Sequence, residues 1–281
     1  MTRGAAVALM VAAPVLWSSA GVVTRHIERA EALEQVLWRS FFAFAFVFLF
    51  LVFTRGTPLK AVRAAGVPGL FSGALWAVMF TAFVIALSLT TTANALVVMS
   101  IAPLLTVVCA RIVLSDPIPL RTWIAALAAM AGIAFMFSSS VEEHSMGMLV
   151  ALAIPVASAL NVVALRKHSA SVDLIPAVML GGALSALIAL PLALPVSASA
   201  KDLALLAFLG VFQLGLPCMF LVMASRALYA PEIALLGLLE VVLGPLWAWL
   251  GAGETPAPST LAGGAIVVAA LAGNELAALR G

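Results

Sequence analysis

Long runs of apolar residues, separated by short polar segments, follow one another along the whole sequence. A helix that crosses the hydrocarbon core of a membrane needs about 20 mostly apolar residues. The runs lack the two-residue alternation of membrane β-strands, and a helix satisfies its own backbone hydrogen bonds in lipid. The pattern therefore predicts an all-α membrane protein with ten transmembrane helices. They cover residues 5–24, 35–54, 66–88, 93–112, 121–139, 147–166, 174–195, 203–225, 232–251 and 259–278.

Composition supports this prediction and narrows the class of protein. Hydrophobic residues make up 64% of the chain and charged residues 9%, whereas about a quarter of a soluble domain is charged. The net charge is only +2 and the basic residues are scattered, so nucleic acid is not an expected partner. The run that follows Arg3 has no clear cleavage site and precedes many similar runs, which favours a first membrane helix over a signal peptide.

The basic residues favour one side of the predicted membrane helices. With the N-terminus inside, only Arg25, Arg29 and Lys201 fall on the outer side, and Arg39 lies slightly within the second helix. The positive-inside rule then predicts that both termini are cytoplasmic, in a bacterial inner membrane. The basic residues on the inner side are Arg3, Arg55, Lys60, Arg63, Arg111, Arg121, Arg166, Lys167, Arg226 and Arg280.

Polar segments recur in a way that divides the chain in two. Asp116-Pro-Ile-Pro119 follows the fourth run, and Glu254-Thr-Pro-Ala-Pro258 follows the ninth. We therefore predict two repeats of five helices, at residues 1–140 and 141–281. Because five is odd, the repeats cross the membrane in opposite directions, as in many secondary transporters.

These features resemble the drug/metabolite transporter superfamily, in particular its ten-helix EamA-type members. The resemblance rests on Trp17-Ser18-Ser19, Arg39, Ala86-Leu87, Pro103 with Asp116 thirteen residues later, and the second acidic position Glu254. The family usually has Glu where this chain has Asp116. It also has a proline where this chain has Val241, so the later Pro245 predicts a bend one turn further along the ninth helix.

Within that superfamily the chain most resembles YddG-type exporters of aromatic amino acids. The resemblance implies a secondary transporter that exports or facilitates the movement of amino acids or similar small metabolites by alternating access. Sugar-phosphate carriers are expected to place Lys or Arg in the central cavity, and the predicted helices place neither at mid-membrane. The four-helix multidrug relatives carry a Glu in helix one, where this chain offers Trp17, Ser18 and Ser19.

Two charged residues are the first candidates for a substrate site. Glu240 lies near the middle of the ninth helix with no cation expected at its depth, and such residues are costly in a membrane. It could bind a substrate ammonium or a proton, or donate a hydrogen bond to a neighbouring helix. Arg39 could attract a substrate carboxylate, pair with Glu31 or Glu34, or extend to the interface.

Polar, aromatic and sulfur-containing side chains within the helices are the next candidates, with ordinary helix packing as their alternative. The substrate-site candidates are Ser18, Asn161, Gln213, Trp17, Trp76, Met79, Phe80 and Met99. Trp247 and Trp249 are interpreted as interface anchors. Intrahelical prolines remove a backbone donor and are hinge candidates. They are Pro103, Pro155, Pro217 and Pro245.

The sequence shows no nucleotide-binding loop, metal-ligand spacing or catalytic constellation, so no cofactor and no enzymatic activity are expected. Energy for transport then comes from substrate or ion gradients, and proton coupling stays open. The alternatives are efflux of drugs or other metabolites, an intramembrane lipid enzyme, or a channel. Both a monomer and a homodimer fit the sequence.

Overall fold

Ten helical segments make up the chain in a computed structural model that describes residues 1–90, 92–115, 117–138, 145–252 and 257–280. In chain order they are α1 (Arg3–Trp17, continued by Ala20–Thr24), α2 (Ala32–Arg55), α3 (Pro58–Leu89), α4 (Thr92–Met99 and Ala102–Val113), α5 (Leu120–Met136), α6 (Ser145–His168), α7 (Ile175–Ala189, then a 3₁₀ turn Leu190–Leu192), α8 (Ala200–Phe208, a π-helical segment Leu209–Gly215, and Leu216–Ala224), α9 (Ala230–Gly237 and Leu239–Ala252) and α10 (Pro258–Arg280).

The prediction of an all-helical membrane architecture is confirmed. Among the described residues there is no strand, nine helices are long and apolar enough to cross a membrane, and α5 is a shorter apolar helix. The largest boundary difference is in α3, which begins at Pro58 rather than residue 66. Gly66 has a left-handed φ of 55°, so the predicted start of the apolar run coincides with a break, and the helix before it carries Lys60 and Arg63.

Helix contacts between the two halves obey a simple rule. Helices α3 and α4 pack on α6, and α8 and α9 pack on α1; α3 packs on α7, and α8 packs on α2; α5 packs on α10. Adding five to a helix number, with the count returning to α1 after α10, converts each contact into its counterpart in the other half. The fold therefore consists of two similar five-helix halves, and an odd number of crossings turns the second half upside down relative to the first.

Helices α1, α4 and α9 are each interrupted within their length. In α1 the Ser18 hydroxyl donates to the Val15 carbonyl oxygen at 2.9 Å, and the Ser19 hydroxyl to that of Leu16 at 2.7 Å. In α4 the Ser100 hydroxyl donates to the Val97 carbonyl oxygen at 2.6 Å. Such bonds compete with the regular helix ladder, which explains why these two helices are irregular at their serines.

The interruption of α9 lies at Leu238, seven residues before Pro245, where the sequence predicts a bend. The Leu238 amide donates to the Leu235 carbonyl oxygen at 3.0 Å and the Val241 amide to that of Leu238 at 3.0 Å. This tight three-residue spacing ends the first half of the helix without a proline. Pro245 lies inside the second half.

The hinge candidates thus fall into two groups. Pro103 lies in the first turn after the interruption of α4, and Pro217 follows the π-helical segment of α8. Pro155 and Pro245 lie inside α-helical segments without an interruption beside them. Irregular backbone, the more direct sign of a bend, adjoins only the first pair, and the hinge role of all four stays a prediction.

The end of the molecule that holds the N-terminus is tied together by ion pairs. Arg3 at the start of α1 contacts Glu232 of α9 and Glu275 of α10, both at 2.9 Å. Asp173, between α6 and α7, pairs with Arg55 at 2.9 Å and with Arg226 at 3.2 Å. These contacts connect helices of both halves and hold them together at this end.

At the opposite end, the loop between α1 and α2 binds the loop between α7 and α8. The Asp202 carboxylate accepts hydrogen bonds from the Glu28 amide at 2.9 Å and the Arg29 amide at 3.2 Å, and it also caps α8 with Ser199. Buried Glu34 accepts bonds from the Ser197 amide at 2.9 Å and the Ala198 amide at 2.8 Å. The carboxylates of this end therefore fix loop backbone.

Small residues allow close helix crossings within the chain. A Cβ atom at Gly263 of α10 would meet the carbonyl oxygen of Gly132 in α5 and lie 2.8 Å from the Met136 nitrogen. We expect Gly263→Ala to lower the free energy of unfolding by about 1–3 kcal/mol, because overpacking forces backbone shifts. Thermal melting of the purified protein in detergent measures this, with Gly273→Ala as the control, since that Cβ meets nothing within 4 Å. An unchanged melting temperature for Gly263→Ala would contradict the close crossing.

Candidate functional site

Two adjacent cavities lie between the halves, near the helix interruptions. The larger, of about 550 Å³, is called the outer cavity; it extends to Thr24, Arg25 and Thr260, at the end opposite the N-terminus. The smaller, of about 130 Å³, is called the inner cavity. The side chains that line both cavities are Trp17, Arg39, Phe83 and Glu240.

The structure brings all ten predicted substrate-site residues together around these cavities. Trp17, Arg39 and Glu240 line both, and Ser18 lines the outer one. The others line the inner cavity: Trp76, Met79, Phe80, Met99, Asn161 and Gln213. They come from seven different helices, so only the folded chain assembles them. Their role in binding remains a prediction.

Arg39 lies deeper than its predicted place just inside the second helix. It is 3% exposed, its Nη2 donates to the Phe80 carbonyl oxygen at 3.1 Å, and its guanidinium carbon lies 5.6 Å from the centre of the Phe83 ring. Helix α2 begins at Ala32, so Arg39 lies about two turns along it. The expectation that no cation shares the depth of Glu240 is therefore wrong.

The predicted alternative for Arg39, an ion pair with a carboxylate at the start of α2, does not form. No ion pair within 4.0 Å joins Arg39 to Glu31 or Glu34 in the described part of the chain, and Glu34 instead binds the loop before α8. Burial of its long side chain against α3 draws the guanidinium inward, toward the cavities.

Glu240 occupies the first turn of the second half of α9, two residues after the interruption at Leu238. The exposed N–H groups and dipole of a helix start stabilise a negative charge, which lessens the cost of a carboxylate at this depth. Its side chain is partly exposed to the cavities and accepts no hydrogen bond from a described residue. Arg39 and Glu240 lie near enough to interact electrostatically, yet no ion pair within 4.0 Å joins them.

Several buried polar atoms around the inner cavity have no hydrogen-bond partner among the described residues. They are Arg39 Nε, Trp76 Nε1, Asn161 Nδ2 and Gln213 Oε1. Buried polar groups in native proteins are almost always paired, so each of these is notable. Gln213 lies in the π-helical segment of α8, an irregularity frequent at functional sites.

Phe83 of α3 is an aromatic residue of the cavity lining that was not among the predicted site residues. Phe83 lines both cavities and follows Trp76 and Phe80 on the same face of α3. The spacing of four and then three residues between them is that of a helix stripe, so the signal was present in the sequence. Trp76 and Phe80 pack with ring centres 5.5 Å apart.

Trp247 has a more specific contact than an interface anchor requires. Its Nε1 donates to the Ser18 hydroxyl oxygen at 2.8 Å, and this hydroxyl itself donates to Val15 within the interruption of α1. The bond connects the second half of α9 to the interruption of α1 beside the outer cavity. Asp116 and Glu254, the paired acidic positions of the repeat motif, lie outside the described residues.

Comparison with known proteins gives the chain its context. The model of the EamA-like transporter family matches residues 4–138 and again residues 145–274, which correspond to α1–α5 and to most of α6–α10. No curated protein matches the chain. Solved structures match as well. One of them, a crystal structure, does so with a TM-score of 0.82 and 21% sequence identity over 99% of each chain, and at that identity the likeness concerns the fold.

Proposed function

Since the chain belongs to the EamA-like transporter family, we propose that it is a secondary transporter of amino acids, aromatic and hydrophobic ones included, and of similar small zwitterions. Its membership makes it a multi-pass membrane protein that moves a small molecule across the bilayer. The observation that supports the substrate class is the pair of opposite charges, Arg39 and Glu240, which line the same cavities without binding each other.

A zwitterion satisfies both charges at once. Its carboxylate matches the guanidinium of Arg39, and its ammonium matches the carboxylate of Glu240. A phosphate ester would meet the negative charge of Glu240, and a cationic drug would meet the positive charge of Arg39. Each of those substrates leaves one of the two charges in the cavity without a partner, which is unfavourable.

The two ends of the molecule support alternating access as the mechanism. The contacts of Arg3 with Glu232 and Glu275 connect the halves at one end, while the outer cavity extends to the other. If the basic end is cytoplasmic in a bacterial inner membrane, as the charge distribution predicts, this conformation faces outward. In an inverted repeat the opposite conformation uses the same packing with the halves exchanged. The direction of the substrate or ion gradient then decides whether the protein exports its substrate or facilitates its movement.

Counterflow in proteoliposomes tests the proposal. Vesicles loaded with unlabelled phenylalanine should take up labelled phenylalanine faster than empty vesicles, and the rate should saturate with concentration. A channel gives uptake without saturation or stimulation, and an enzyme of lipid metabolism gives a chemical product. Absence of saturable transport for every member of an amino-acid panel, relative to protein-free liposomes, would contradict the proposed substrate class.

A further inference from the structure

The inner cavity is chemically polarised, with hydrogen-bond donors from one group of helices and acceptors from another. Among the described residues, Arg39 of α2, Trp76 of α3 and Asn161 of α6 each carry a buried donor that has no partner. Gln213 of α8 carries a buried acceptor that no described residue binds, and Glu240 of α9 is a carboxylate. The five residues thus form two sets of opposite character.

Helix packing groups the members of each set. Helix α3 packs against both α2 and α6, so the three donors come from helices that adjoin one another. Helices α8 and α9 both pack against α1, so the two acceptors also come from neighbouring helices. The two sets adjoin where α8 packs on α2.

Neighbouring contacts occupy one atom of each side-chain amide. The Ser72 hydroxyl donates to Asn161 Oδ1 at 2.6 Å, which leaves the Nδ2 group as a donor without a partner among the described residues. Gln213 Nε2 donates to the Trp17 carbonyl oxygen at 3.3 Å, which leaves Oε1 as an acceptor. The indole of Trp76 and the guanidinium of Arg39 can only donate, and the carbonyl oxygen beside Gln213 can only accept, so the orientation of Gln213 is fixed.

The size of the inner cavity limits what it can hold. Its volume of about 130 Å³ is roughly a quarter of that of the outer cavity, about 550 Å³. The ammonium, α-carbon and carboxylate of an amino acid are the part of the substrate that suits the smaller space. The outer cavity, with about 550 Å³ and a mostly apolar lining, adjoins it through shared residues.

We propose that the inner cavity is the head-group subsite for an α-amino acid, with the carboxylate bound by Arg39, Trp76 and Asn161 and the ammonium by Gln213 and Glu240. The substrate's side chain then extends into the outer cavity. This inference rests on the proposed function and deepens it. It assigns strict recognition to the amino and carboxylate groups and broad tolerance to the side chain.

The test compares free phenylalanine with its methyl ester, which lacks the carboxylate charge. Asn161→Asp keeps an oxygen for Ser72 and replaces the donor by an acceptor. It should raise the half-saturation concentration for phenylalanine ten- to hundredfold, since a hydrogen bond to a charged group is lost. Affinity for the ester should change far less, so the preference of the wild type for the free acid should fall.

Asn274→Asp is the matched control. Asn274 is also a buried amide, accepts a hydroxyl hydrogen bond from Thr122 at 3.1 Å, and lines neither cavity. It should leave the preference for the free acid unchanged. Trp76→Phe, which removes one donor and keeps an aromatic ring, provides a second variant in case Asn161→Asp does not fold, and it should shift the preference in the same direction.

The outcomes are distinct. A normal preference for the free acid in folded Asn161→Asp or Trp76→Phe, with saturable amino-acid transport intact, would overturn the head-group assignment and leave the proposed function standing. A wild-type protein that transports no amino acid would overturn both. A fall in the preference in these variants and not in Asn274→Asp supports the subsite.

Discussion

Replacing Glu240 with glutamine should lower kcat/KM for a zwitterionic amino acid by about a hundredfold or more. The change replaces the carboxylate that faces the substrate ammonium by a neutral amide, and a hydrogen bond to a charged group contributes about 1.5–3 kcal/mol. It also leaves the positive charge of Arg39 in the cavity without an opposite charge nearby, and uncompensated buried charges are strongly unfavourable. The two effects act in the same direction for an amino acid.

Initial rates of uptake into proteoliposomes, measured across a range of external pH, provide the readout. Glutamine cannot titrate, so any proton-linked step at this position is lost together with ammonium binding. An analogue that lacks the ammonium, such as phenyllactate, should be carried no worse by Glu240→Gln than by the wild type. Glu31→Gln, at the exposed start of α2, is the control, since Glu31 lines neither cavity. Normal amino-acid transport by Glu240→Gln at every pH would contradict the role of Glu240.

The helices of this protein were predictable because lipid imposes one requirement that local sequence records. Each membrane segment must be apolar over its whole length, so the limits of α2 or α10 can be read within a few residues. The same reasoning selects site residues. A polar or charged side chain at membrane depth is costly, so Glu240, Asn161 and Gln213 are conspicuous in their apolar runs.

The arrangement of those residues was not predictable in the same way. A shift of three residues in the start of α2, from 35 to Ala32, puts Arg39 almost a turn deeper and changes its interpretation from interface residue to cavity residue. Arg39 and Glu240 lie about 200 positions apart in the chain, so their proximity depends on how the two halves pack together. The break of α9 at Leu238 has no proline or serine to mark it, unlike the break of α4 beside Ser100 and Pro103.

Arg39→Gln is expected to reduce kcat/KM for amino acids by an amount similar to Glu240→Gln, because it removes the cation that faces the substrate carboxylate. Arg39→Lys should restore only part of the loss. A lysine carries the charge, but it lacks the planar, multiply donating group that binds Phe80 and a carboxylate together. Transport kinetics in proteoliposomes measure both variants, with size-exclusion profiles to show that each is folded.

The double variant Arg39→Gln/Glu240→Gln separates substrate binding from a structural ion pair. If the two residues mainly neutralise each other, removing both relieves the uncompensated charge, and the double variant should transport better than either single one. If each binds one end of the zwitterion, the double variant loses both contacts and should transport worse than either. We expect the second result, because no ion pair within 4.0 Å joins the two side chains although they line the same cavities. Recovery of transport in the double variant would show that the pair serves the fold instead of the substrate.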